Sequence, residues 1–358
     1  MKRTIVGIAG AALLLSGCSA APVPQEDGAL TIEEIAQYSG ADREDVLLKC
    51  AADEGPLSFY TSQDAILWET YVGGFQDKYS GMKVDATRRT SAATIQAIVE
   101  ESQARADKVD VISITWTFFE AMKEYLLPIT SPEMSAYPAA SIHGDHQGIV
   151  VDRTPYGVIY NTDRVSASEV PKTPKDLLDP RWKSEIVMSS SVQGTNWVGV
   201  MLHLLGDDVV DKLGKQAIRA QDVNSAALAT MVAAGEASMA PASPISNTLK
   251  LKADGAPVSW SPVTAYWLDD VMGVSAKAKN PCSAMLFVDF VLSAEGQALT
   301  TASISARADV KPSADLQLDS LGGSDFNPVR LEDVVAGNSY SVLFKEWADL
   351  LETGIVSH

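Results

Sequence analysis

Positive charge is scarce in this chain. Its 28 lysines and arginines stand against 46 aspartates and glutamates, a formal net charge of −18. Phosphate backbones are bound through clustered Lys and Arg, so no nucleic-acid partner is expected, nor adhesion to anionic headgroups through a basic patch. Histidine is rarer still, with four residues, and cysteine rarer again, with three. No H-E-x-x-H, G-x-S-x-G, Walker or dinucleotide glycine pattern occurs, so the common signatures of zinc, serine-hydrolase and nucleotide chemistry are missing. His143 and His146 make an H-x-x-H spacing, but Gly144 and Asp145 between them mark a loop, and the pair reads as two solvated side chains. His203 falls inside an apolar helical run and reads as packing. The expectation is no enzyme, no metal and no cofactor.

Long apolar runs are also missing, except at the N-terminus. There "MKRTIVGIAGAALLLSGC" sets Lys2 and Arg3 before a run too short for a permanent membrane span, and Leu15-Ser16-Gly17-Cys18 follows. Those four residues resemble a bacterial lipobox. The resemblance implies that residues 1–17 are a signal peptide, that Cys18 becomes lipidated, and that the chain is exported and anchored to the outer face of a membrane. Several acyl chains at about 0.8 kcal/mol per buried methylene suffice for such an anchor. Residues 18–30, small, polar and proline-bearing, suit a tether. The remaining cysteines, Cys50 and Cys282, are free to pair in an oxidising compartment or to pack as small apolar side chains.

Beyond the tether, helical and two-periodic segments alternate. Thr31 and Glu34 set a capping box. "LSFYTS", "MKVDAT" and "KVDVISI" read as strands, and Ile66–Tyr79 and "AATIQAIVEESQAR" as helices between them. This is the pattern of an α/β chain with largely parallel sheets. "GIVVD" and "YGVIYNT" read as two strands joined at Arg153-Thr154-Pro155, a place for a crossing between lobes, and "DDVMGVSA" as a strand returning. The last helix, "VLFKEWADLLE", has an apolar face at Val342, Leu343, Trp347 and Leu350.

Several stretches in order resemble a family. "ADREDVLLKCAADEGPLSFYTS", "YGVIYNTDRV", "PKTPKDLLDPRWKSEIVMS", "MVAAGEASM", "LKADGAPV" and "AMLFVDFVLSAEGQAL" are similar to the solute-binding lipoproteins of ABC importers, in the ferric-iron-transport-like branch. The resemblance covers roughly residues 41–310. It implies a two-lobed periplasmic-binding-protein-like fold of type II, with a ligand cleft between lobes joined by hinge strands. It also implies cleft closure on a small molecule and delivery to an ABC permease and ATPase complex, by a monomer. The boundaries expected are 31–152 plus 269–358 for lobe 1 and 153–268 for lobe 2.

In such folds ligands sit beyond the carboxyl ends of the strands. That rule selects Ser62 and Gln63 after the first strand, Arg88, Arg89 and Ser91 after the second, and Trp116 after the third. From the other lobe it selects Ser190, Ser191, Thr195 and Asn196, with Ser243 near a strand end and Tyr156 and Tyr266 at the crossings. Arg88-Arg89 before a helix start would favour a carboxylate or phosphate, with one of the two facing the cleft. Trp116 either walls the ligand or fills the core, and Tyr156 either lines the cleft or packs the hinge. "SSSVQGTNW" either closes on an anion opposite the arginines or only caps the helix beginning near Trp197. Iron-binding members carry adjacent tyrosines where this chain reads "MAPASPISNTL". The expected ligand is therefore a small anionic organic solute (a carboxylate, phosphonate or phosphorylated metabolite), with ferric iron held through a synergistic anion, or a surface sensor or enzyme on the same fold, as alternatives.

Overall fold

The computed structural model describes residues 30–301, 303–313, 316, 328–335 and 338–355. The signal-like segment and Cys18 lie outside the described residues. Among those described, no helix is long and apolar enough to cross a membrane.

The chain enters through α1 (Ile32–Gln37), whose capping box forms: Glu34 N–H donates to Thr31 Oγ1 at 3.2 Å and Thr31 N–H to Glu34 Oε2 at 2.8 Å. After α2 (Arg43–Ala51) come β1 (Leu57–Thr61), α3 (Ala65–Lys78), β2 (Val84–Arg88), α4 (Ser91–Gln103) and β3 (Val111–Thr115). The three strands are parallel in the order β2-β1-β3. Short pieces follow: α5 (Phe119–Met122), β4 (Leu126–Leu127) and β5 (Ile142–His143).

The crossing between lobes is one long ribbon. Expected as two strands, β6 (Gly148–Asn161) is continuous through Pro155, whose fixed φ suits an extended chain. Arg153 N–H, within the supposed link, donates to Ile304 O at 2.9 Å. Fourteen residues at about 3.3 Å each reach roughly 45 Å, enough to run through both lobes. Its antiparallel partner, β10 (Val258–Ser275), returns alongside it and pairs with β3.

Between them lie β7 (Val187–Ser189), α6 (Val192–Leu205), α7 (Val209–Gly214), β8 (Arg219–Gln221), α8 (Ser225–Ala233), β9 (Met239–Pro244) and α9 (Ile245–Ala253). The chain then runs through α10 (Pro281–Leu292), α11 (Ala294–Leu299), β11 (Val329–Arg330), α12 (Leu331–Val335) and α13 (Tyr340–Leu350).

Two large apolar cores result, the arrangement of a two-lobed fold. One gathers Phe59, Tyr71, Phe75 and Phe287 around β1–β3, and the other Trp197, Met201, Tyr266 and Trp347 around α6. Trp116 packs partly buried against both. Cys50 and Cys282 are joined as a disulfide behind the first core, with Cα atoms 5.8 Å apart.

The C-terminal residues correct the expected boundary. Leu331, Val335, Trp347, Leu351 and Ile355 pack into the second core, not the first. The cause is local: Gly199 in α6 leaves room for the Trp347 ring, which would lie 2.7 Å from a Cβ added there. Val342, expected on the apolar face of α13, is instead 56% exposed, because Leu343, Trp347 and Leu350 already define the packed stripe.

Candidate functional site

β1, β2 and β3 end together, and their carboxyl ends face the β6–β10 ribbon. Asp152 of β6 stands opposite Asp270 of β10, and Tyr156 opposite Tyr266. Alternation along the strands puts these two pairs on one face of the ribbon. Asp270 also stands opposite Thr115 at the end of β3.

Gln63 is brought into this site by the turn after β1, where its N–H donates to Thr61 Oγ1 at 3.1 Å. Its Nε2 donates to one carboxylate oxygen of Asp152. The other oxygen, Asp152 Oδ1, is buried without a hydrogen-bond partner. Burial first, and then the neighbouring Asp270, push the Asp152 carboxyl well above the usual carboxylate range. Asp270 is pushed up to about 7, by burial and then by Asp64 and Asp269, with Thr115 and Arg88 opposing. On the other face of the ribbon Asp269 rises to about 7 through burial, against the pull of Arg153 at 3.2 Å.

Arg88 reaches this site but arrives partnered. Its Nε donates to Gln63 O at 2.7 Å and its NH2 to Asp64 Oδ1 at 2.8 Å, with the side chain half-exposed. Arg89 turns to the other face of the sheet and lies 4.4 Å over the Tyr60 ring, whose hydroxyl donates to Glu101. Strand alternation separates the two arginines, so they do not form a joint anion clamp. Ser62, Ser91 and Thr115 make a small hydroxyl chain, with Ser91 Oγ 3.0 Å from Ser62 Oγ and 3.3 Å from Thr115 Oγ1.

The second lobe's edge departs further from expectation. α6 begins at Val192 with Ser191 as its N-cap residue, not near Trp197. Gly194 permits this start: a Cβ there would sit 1.8 Å from Ser189 O. Thr195 and Asn196 therefore fall inside the helix, and both are buried. Asn196 Oδ1 accepts from Tyr340 Oη at 2.7 Å, so it faces the C-terminal helix rather than the arginines. Ser190 is exposed and its N–H donates to Gln221 O. Ser191 Oγ is engaged by Ser189 Oγ at 2.6 Å and by Gln193.

Tyr266 is fully buried, stacks on Tyr156 at 5.3 Å between centroids, and donates to Gln193 O at 3.1 Å. Tyr156 is thus both a hinge-packing residue and a neighbour of the aspartates. The Ser243 hydroxyl is buried with no hydrogen-bond partner. Beside it Ala242 has φ +56°, and Thr264, next to Tyr266's neighbour Ala265, has φ +56°; left-handed backbone at a β-branched residue is costly and collects at functional sites.

Trp116 sits 6.5 Å from both His143 and Tyr340. His143 is packed against Phe119 at 5.4 Å, not solvated as expected, and burial lowers its pKa. His203, expected to pack, is exposed on the outer side of α6. Sequence reasoning missed Asp64, Asp152, Asp270 and Tyr340. The available signal was a carboxylate within each apolar hinge strand, in "GIVVD" and "LDDVMGV".

Among solved structures, this chain is similar to the iron-bound HitA of Pseudomonas aeruginosa, at 20% identity over 82% of this chain and 99% of that one, with a TM-score of 0.70. It is similar to AfuA of Actinobacillus pleuropneumoniae with fructose 6-phosphate bound, at 21% identity over 84% and 100% of the two chains, with a TM-score of 0.67. FutA of Trichodesmium, in complex with iron and citrate, matches at 20% identity over 83% and 98%, with a TM-score of 0.65. Curated proteins show no match. A family model for bacterial extracellular solute-binding proteins matches residues 106–321, and the chain belongs to that family, as the solute-binding component of an ABC transporter.

Proposed function

We propose that the chain is a lipid-tethered receptor that captures a small organic solute between its lobes and hands it to the membrane permease. The observation that carries this reading is the convergence of the β1–β3 ends, the start of α6 and one face of the β6–β10 ribbon. Closure about such a ribbon is a recognised ligand-driven motion. The receptor acts by binding rather than catalysis, as a monomer held at the outer face of the membrane through Cys18. Replacement of Cys18 by Ala should release the protein from the membrane fraction; retention there would sink the tether.

An anionic group on the solute keeps one support. The 14-residue helix α6 begins against Tyr266, and a helix N-terminus favours negative charge. The other support, a paired Arg88 and Arg89, is gone, because Arg89 turns away to Tyr60 and Arg88, which reaches the site, is held by Asp64 and Gln63 O. The ligands of the structural neighbours (iron, iron with citrate, a sugar phosphate) differ among themselves, so the shared fold sets no ligand class. A thermal-shift screen of the mature protein with carboxylates and phosphate esters tests the reading. A ligand at 100 times its Kd adds about 2.7 kcal/mol; no stabilisation by any member would count against it.

A further inference from the structure

We propose that the solute carries a protonated amine or amidine, and that Asp152 and Asp270 on the cleft face of the ribbon receive it. The inference rests on the receptor reading above and names the group held at the hinge end of the same cleft. Around this spot stand three carboxylates, Asp64, Asp152 and Asp270, and one guanidinium, Arg88. Two of the guanidinium's donor nitrogens are already engaged, by Asp64 and by the carbonyl of Gln63. Carboxyl groups therefore outnumber cations at a place where one arginine was expected to face an anion.

An acidic neighbourhood alone is weak ground. The second observation is Asp152 itself: the residue is 0% exposed, yet Oδ1 has no partner while the other oxygen is held by Gln63. A buried polar atom left unpaired costs free energy that a bound donor recovers. A bound group that brings N–H donors and positive charge would both satisfy this oxygen and offset the carboxylates. Gln63 Nε2 and the Arg88 guanidinium stand within the same site and present N–H groups, which disfavour a bare metal ion there. Two residues further along the same face, the Tyr156 ring stacked on Tyr266 offers an apolar wall for a methylene stem.

Matched ligand pairs test this on the mature protein by calorimetry and thermal shift: γ-aminobutyrate with butyrate, L-lysine with hexanoate, phosphoethanolamine with ethyl phosphate. The amine-bearing member of at least one pair is expected to bind at least tenfold more tightly than its partner. Asp152→Asn and Asp270→Asn, each checked for native circular dichroism, are expected to remove that preference. Equal binding within every pair, or a preference unchanged in both variants, overturns the inference and leaves the receptor reading standing. Binding of ferric citrate alone, undiminished in both variants, does the same. Failure of all these probes to bind overturns both.

Discussion

The two rims of the cleft solve the problem of buried polar groups in opposite ways. On the second lobe, the hydroxyls of Ser189 and Ser191 bond to each other, to Val223 O and to Gln193, so the start of α6 is neutral and its hydroxyls are satisfied, whereas the neutral Ser243 hydroxyl and Asn196 Nδ2 stay unpaired. On the first lobe and ribbon, Asp152 keeps one buried carboxylate oxygen without a partner, and burial disfavours the ionised forms of both Asp152 and Asp270. A satisfied rim loses little when the cleft is empty, whereas an unsatisfied one gains when a ligand arrives. Under the proposed receptor reading, the difference would give recognition chiefly to the first lobe and the ribbon, and covering to the second.

The largest expected effect tests whether the first lobe's frame can be loosened without touching the second. The Cys50–Cys282 disulfide closes a loop with a sequence separation of 232 between α2 and α10. In the chain-entropy model such a loop is worth about 5.5 kcal/mol as an upper guide. Replacing both cysteines by Ala should lower the urea midpoint accordingly while the fluorescence of Trp197, buried in the second core, stays native before the transition. Early loss of the Trp197 signal would mean the two cores are not separable.

The second rim is broken most directly at Gly194. A methyl group there would meet Ser189 O at 1.8 Å, and backbone cannot yield as a flexible side chain does. Gly194→Ala should cost about 3 kcal/mol and weaken ligand binding by displacing the start of α6. A thermal midpoint within a degree of the parent would show that β7 and α6 can move apart freely.

Asp270→Asn sharpens the comparison by reversing the usual sign of damage. The native carboxyl titrates at about 7 against 3.8 for its ordinary value. The folded state therefore holds a proton that the unfolded chain releases, and stability falls as pH rises from about 4 to 7. Three units correspond to about 4 kcal/mol as an upper bound, and partial exposure of the residue reduces this to about 2. The unliganded Asp270→Asn protein should thus be more stable than the parent at pH 8, equal to it near pH 3.5, and worse at binding. Equal stability at both pH values would remove the strained-carboxylate picture of this rim.

The fold was legible in the sequence where periodicity and punctuation agree, as in the capped α1 and the strands of the first lobe. The loops selected at strand ends after β1 and β2 reach the β6–β10 ribbon, through Gln63 and Arg88. Orientation within them was not legible, because a one-residue offset decides the face: Arg88 reaches the ribbon and Arg89 reaches Tyr60. The start of α6 was misplaced because its close approach to β7 depends on Gly194 meeting Ser189, a contact absent from local propensity. Asp152 and Asp270 become neighbours only through the register of β6 and β10, which lie more than a hundred residues apart in sequence.

Tyr340 carries the smallest effect and the finest distinction. It belongs to a segment beyond the family match, yet it touches both sides of the cleft: Asn196 of α6 through its hydroxyl at 2.7 Å, and Trp116 of the first lobe through its ring at 6.5 Å. If the second rim is a cover, this hydroxyl steadies the cover and takes no part in recognition. Tyr340→Phe should then cost about 1 kcal/mol of stability, the worth of one hydrogen bond. A double-mutant cycle with Asn196→Ala should return a coupling of the same order. Ligand preference within the matched amine pairs should be unchanged, because Asp152 and Asp270 are untouched. A change in that preference would place Tyr340 among the residues that recognise the ligand, and the division between a recognising rim and a covering rim would fail.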